Sequence, residues 1–175
     1  MSGPSDKPEF PALLPIGRHP MSLDDIETSC VAAFPLSETR AKIMAGLRTI
    51  ADRLVQLEIQ GELWIDGSFL TEKINADDCD LVLRTRGEFY DAATEEQQAA
   101  IDWVLANLKE ELDCHSFGFF EYDEADENYW IGHYDYCYWM RQWGFSRKNE
   151  YKGIAVFDLR QSASEQEVKE NEPAA

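Results

Sequence analysis

The sequence predicts a mixed α/β or α+β sheet domain, on three observations. Apolar residues recur at helical spacing in two places, Ile43, Met44, Leu47, Ile50, Ala51, Leu54 and again Ile101, Val104, Leu105, Leu108, Leu112. Short apolar or aromatic runs between them read as strands, and strands and helices interleave along the chain. A length of 175 residues, 44% of them hydrophobic and 12% aromatic, suits one folded unit with a conventional core.

Six of the seven prolines fall in residues 1–36, which reads as an extended arm laid on the domain, ordered from about Phe10 because Phe10, Leu13, Leu14 and Ile16 need apolar surroundings. Within it, Ser22-Leu23-Asp24-Asp25 caps a short helix running through Cys30. The domain proper is expected over 37–160. A long helix starts at an N-cap Ser37 and stops at Gly61, followed by strands Leu63-Trp64-Ile65 and Asp80-Leu81-Val82-Leu83. Thr94 and Gln97 form a capping-box pattern that opens a second long helix over roughly 94–112. Cys114 to Tyr122 reads as a third strand, Tyr129 to Trp143 as a helix by the spacing of Tyr136, Trp139, Met140 and Trp143. Lys148-Asn149-Glu150 then forms a hairpin tip with return strand Ile154 to Phe157. Residues 161–175 are polar and acidic and read as a disordered tail.

Charge narrows the function classes. A formal net charge of −18 repels phosphate backbones and anionic head groups, so direct nucleic-acid or membrane binding is disfavoured, whereas a basic protein partner is attracted. No apolar run is long enough to span a bilayer, and Met1 to Ser5 lacks the pattern of a secretion signal, so a cytoplasmic protein is expected. The four cysteines show no CxxC spacing and read as buried thiols.

The chemistry-bearing segment is Asp66-Gly67-Ser68 through Asp78-Cys79-Asp80-Leu81. Strand alternation turns Asp78 and Asp80 to one side while Cys79 and Leu81 enter the core. Two such carboxylates repel each other unless a hard divalent cation lies between them. Gly67 lets backbone approach a phosphate, Ser68 offers a hydroxyl and amides, and Lys73 adds a positive charge for a triphosphate. Arg147, Lys148 and Lys152 read as a solvated hairpin tip ahead of a contact for a triphosphate or acceptor, His115 and His133 as ordinary polar residues ahead of ligands or bases, and Trp130, Trp139, Trp143, Tyr136 and Tyr138 as core ahead of a base-stacking surface or a protein interface.

Gly67-Ser68, nine intervening residues and Asp78-Cys79-Asp80-Leu81 resemble the signature of the nucleotidyltransferase-fold superfamily that includes DNA polymerase beta. More narrowly, Leu14-Pro15-Ile16-Gly17-Arg18-His19, Asp66 to Lys73, Gly144 to Arg147 and Lys152-Gly153-Ile154 resemble small bacterial and phage proteins related to the minimal nucleotidyltransferases. The resemblance implies a small twisted mixed sheet flanked by helices, with Mg²⁺ or Mn²⁺ on Asp78 and Asp80 and a nucleoside triphosphate (NTP) substrate held by Gly67, Ser68 and Lys73. It also implies a third acid on a later strand. Asp113 is the leading candidate, with Glu121 on a shifted register, replacement by His115, or no third acid as alternatives.

The reading that follows is a metal-dependent nucleotidyltransferase moving a nucleoside monophosphate, most plausibly AMP, to a protein or small acceptor. The resemblance adds a toxin-antitoxin or phage-defence setting. The alternative is a catalytically silent acidic protein that uses the same fold to neutralise a basic partner.

Overall fold

Five strands form one open mixed sheet in the order β1-β5-β2-β3-β4 in a computed structural model that describes residues 8–160. They are β1 (Gly17–Pro20), β2 (Gly61–Asp66), β3 (Cys79–Arg86), β4 (Cys114–Glu121) and β5 (Gly153–Asp158). β1 runs parallel to β5, β5 and β3 run antiparallel to β2, and β4 runs parallel to β3. The helices are α1 (Leu23–Glu27), extended by a π turn to Ala32, then α2 (Arg40–Gln56), α3 (Gly87–Ala92), α4 (Glu95–Leu105), α5 (Lys109–Leu112) and α6 (Tyr129–Trp143). The expected tail over 161–175 and the first seven residues of the arm lie outside the described residues. Among the described residues, no helix is long and apolar enough to cross a membrane.

Both faces of the sheet are covered, which explains why β2 and β3 read as nearly continuous apolar runs. On one face Leu63, Ile65, Cys79, Leu81, Leu83, Ala155 and Phe157 join Ile43, Leu47, Ile50 and Leu54 of α2 and Ile101 and Val104 of α4 in the main core. On the other, Trp64, Val82, Phe119, Ile154 and Val156 pack against Trp143 and the half-buried Tyr136, Trp139 and Met140 of α6. The helical reading of 129–143 therefore holds, with only part of its aromatic set inward.

Several boundaries differ from the sequence reading. The arm does more than lie on the surface: β1 is an edge strand, ending at Pro20 where a missing N–H costs the ladder least. Ile16, just before β1, is nevertheless 67% exposed. β5 is not the return strand of a hairpin but is inserted between β1 and β2, and the 148–150 tip is a small loop closed by Ser146 N–H donating to the Glu150 carbonyl. α2 ends at Gln56 rather than at Gly61, because Glu58 turns into the left-handed region (φ 54). Its first residue is Arg40, although the Ser37 hydroxyl does accept from the Thr39 and Arg40 amides. The long helix over 94–112 is two helices, broken at Asn107 (φ 68). The Ser116 hydroxyl seals this break, accepting from Leu108 N–H and donating to the Val104 carbonyl.

Candidate functional site

Sheet register gathers the titratable side chains. Asp66 ends β2 opposite Asp80 of β3, and Asp80 lies opposite His115 of β4, so three neighbouring strands place one such residue each in a single row. The row lies on the face covered by α6, since Asp80 alternates with the core residues Cys79 and Leu81. Asp78, just before β3, completes the group: ligand atoms of Asp78, Asp80 and His115 all lie within 4.8 Å of one another. His115 Nδ1 is 3.4 Å from an Asp80 oxygen.

The connection between β2 and β3 is held by three devices. Gly67 has φ +83, and a Cβ there would stand 2.6 Å from an Asp80 carboxylate oxygen, so glycine is required both by the turn and by that carboxylate. The Ser68 hydroxyl accepts from Asp77 N–H at 2.9 Å and donates to the Asp78 carbonyl at 3.3 Å, which ties the turn to the residue that carries the first acid. The Arg40 guanidinium, with no exposure at all, donates to the carbonyls of Cys30, Ser68, Phe69, Thr71, Lys73 and Ile74 and lies over the Phe34 ring. The arm braces the same loop through Leu13 N–H to Leu70 and Glu72 N–H to Pro11.

Lysines surround the acids. Lys109 Nζ is 2.6 Å from Asp78 Oδ2, and Lys152 Nζ is 2.5 Å from the Asp66 carboxylate, whose side chain is only 5% exposed. Burial pushes the Asp66 carboxyl up to about 6, against the pull of Lys152. Burial first, and then the Asp78 charge, raise Asp80 above the usual carboxylate range. The hydrogen bond to Asp78 holds the Lys109 ammonium above its ordinary value. Such a group suits a cation: a positive ion would relieve the Asp78–Asp80 repulsion that the lysines offset only in part.

The residues named from sequence fare differently. Asp78, Asp80 and Gly67 converge. Ser68 faces the loop, and its hydroxyl is already committed to Asp77 and Asp78. Lys73 is paired with Asp77 at 2.7 Å. Asp113 is not in the cluster: it closes α5 in the left-handed conformation (φ 54), which takes its Cβ out of the strand alternation, and its carboxylate meets Lys42 of α2 at 2.7 Å. Glu121 is six residues along β4 from His115, roughly 20 Å away, and is paired with Arg84. The position facing Asp80 is thus filled by His115. His133 instead stacks on Tyr129, its ring 5.6 Å away.

Two hollows lie at the opposite end of the sheet, around Arg84 and Glu121, and neither includes a member of the cluster. Residues 8–158 match the model of a family of unknown function, DUF6932. The chain belongs to DUF6932. No curated protein and no solved structure matches it.

In this DUF6932 chain, sequence reasoning gave no role to Asp66, Lys109 and Arg40, and it read Lys152 as part of a solvated hairpin tip, whereas its side chain is 17% exposed and paired with Asp66. Asp66 was visible in the Asp-Gly-Ser turn itself. Arg40 carried a fainter sign, because a cation in the first turn of a helix opposes the dipole and needs a tertiary reason. Lys109 and Lys152 reach the site only through the Asn107 break and the insertion of β5, which no local pattern announces.

Proposed function

We propose that the Asp78–Asp80–His115 cluster is the cation site of a nucleotidyltransferase, in which an acceptor hydroxyl attacks the α-phosphorus of an NTP. The bond from the acceptor oxygen to phosphorus forms, the α–β bridging bond breaks, and pyrophosphate leaves with its electron pair. The observation that carries this reading is the convergence of these three side chains within 4.8 Å beside the glycine turn.

Two carboxylates are hard donors that suit Mg²⁺, while the imidazole shifts the donor set toward Mn²⁺ or another borderline cation. A bound cation would supply charge neutralisation at the phosphates. For its part, the chain positions Asp78 through Ser68 and keeps Asp80 in place against Gly67. His115, whose Nδ1 lies 3.4 Å from an Asp80 oxygen, stands in the place of the third acid; when Asp78 and Asp80 alone hold the cation, the neutral imidazole would take the hydroxyl proton. Lys109 is about half exposed, so it can leave Asp78 for a phosphate oxygen. AMP as the transferred group, and a protein or small molecule as the acceptor, follow from the family resemblance alone.

Two observations favour the silent binding protein instead: a histidine stands where a third carboxylate would, and the Ser68 hydroxyl is engaged. Labelled ATP, GTP, CTP and UTP with Mg²⁺ or Mn²⁺ separate the two. Transferase activity predicts label transfer or pyrophosphate release that Asp78→Ala with Asp80→Ala abolishes and that His115→Ala lowers by about 10²- to 10⁴-fold. No turnover and no nucleotide binding in any sample would overturn the proposal.

A further inference from the structure

The outer side of α6 is a row of exposed side chains on one helical face: Trp130 is 72% exposed, Ile131 61%, Tyr134 69% and Tyr138 44%. Cys137 is exposed between them, and the exposed Glu127 and Arg141 stand at the two ends of the same stripe. Isolated exposed apolar residues are ordinary, but a continuous apolar stripe from Trp130 to Tyr138 on one helix marks a contact surface.

The order of chemistry along the stripe identifies what fits it. In an antiparallel pair of identical helices crossing at Tyr134, residues equally distant from Tyr134 on either side face each other. Trp130 then meets Tyr138 of the second copy, and Ile131 meets Cys137. Glu127, in the turn just before α6, meets Arg141. Every apolar position finds an apolar or sulfur partner, and the acid at one end finds the guanidinium at the other. We infer that a second copy of this chain docks here, α6 against α6, with Tyr134 on the two-fold axis.

The cation–π contact of Arg141 with Phe145, 4.3 Å from the ring, and its hydrogen bond to Asn149 hold the guanidinium at that end of the helix, so it meets the incoming Glu127 already oriented. Two copies of net charge −18 repel at long range. At about 0.15 M salt that repulsion is screened beyond roughly 8 Å, while the contacting pairs are not. A helix of this length is about 22 Å long, so the interface is small and the dimer weak and reversible.

Sedimentation velocity of the full chain from about 5 to 200 µM, in the weak-interface range, tests this. A concentration-dependent dimer is expected, lost in Tyr134→Glu. Glu127→Arg and Arg141→Glu should each weaken it at least several-fold, and the two together should restore it, because the pair is re-formed with its signs exchanged. Ile131→Cys places a thiol opposite Cys137 of the second copy and should give a disulfide-linked dimer on mild oxidation, which the unaltered chain does not. Circular dichroism confirms that each variant is folded. A chain that stays monomeric to the highest concentration, or a dimer indifferent to Tyr134→Glu and to the charge exchange, overturns the inference and leaves the stripe to a different partner.

Discussion

Arg40 offers the sharpest test of how the candidate site is built. Its buried guanidinium has no carboxylate partner; six backbone carbonyls, five of them in residues 68–74, share its protons. Burial accordingly lowers its affinity for the proton. Arg40→Met keeps much of the apolar stem but strands those carbonyls, each at a cost of about 1–3 kcal/mol unless water reaches it. If water rescues two thirds of them, a loss of about 4 kcal/mol remains. That is a large share of the roughly 5–15 kcal/mol of a whole domain. With a urea slope of about 2 kcal/mol/M, the midpoint should fall by about 2 M. Arg40→Lys, with three protons on one nitrogen in place of a fork, should recover only part of it. Urea unfolding followed by tryptophan fluorescence measures both. Mn²⁺ titration of the folded Arg40→Lys protein should show weakened binding, since the loop that carries Asp78 has lost its brace. A midpoint for Arg40→Met within 0.5 M of the unaltered chain, a shift of about 1 kcal/mol on that slope, would refute the reasoning.

Other outcomes follow from the same geometry. Gly46→Ala ought to stabilise a mid-helix position by about 1 kcal/mol, yet here it should destabilise, because a Cβ would stand 2.0 Å from the Leu112 carbonyl oxygen just ahead of β4; thermal melts decide the sign. The Asp66 carboxyl sits near 6, above its unfolded value of 3.8, so its contribution to stability is full below 3.8 and is lost as pH rises through about 6. Lys152→Met should therefore cost about 3 kcal/mol at pH 7.5, where Asp66 is ionised without its counter-charge, and clearly less at pH 5. Equal costs at the two pH values would contradict this. Cation binding favours the ionised form of the raised Asp80, so Mn²⁺ affinity by calorimetry should increase as pH rises through the acid range. Of the four thiols, Cys30, Cys79 and Cys114 are buried, with Cys30 pushed up to about 11 by burial, so a thiol reagent should titrate one group in the native chain and four after denaturation.

What the sequence determined by itself is what depends on local pattern. The apolar periodicities located the main helices, and the alternation around Asp80 set which way the acids of β3 face, because helix and strand periods are properties of the backbone. The Asp66-Gly67-Ser68 turn was legible for the same reason: a glycine with positive φ must be where it is. Tertiary structure alone decided which residues complete the group. Asp113 left the row and His115 took its place because one left-handed residue closes α5, and strand face is reset by a single such step. Lys152 came to Asp66 from 86 residues away because β5 is inserted beside β2, a pairing fixed by how both sheet faces are covered rather than by the residues on either side.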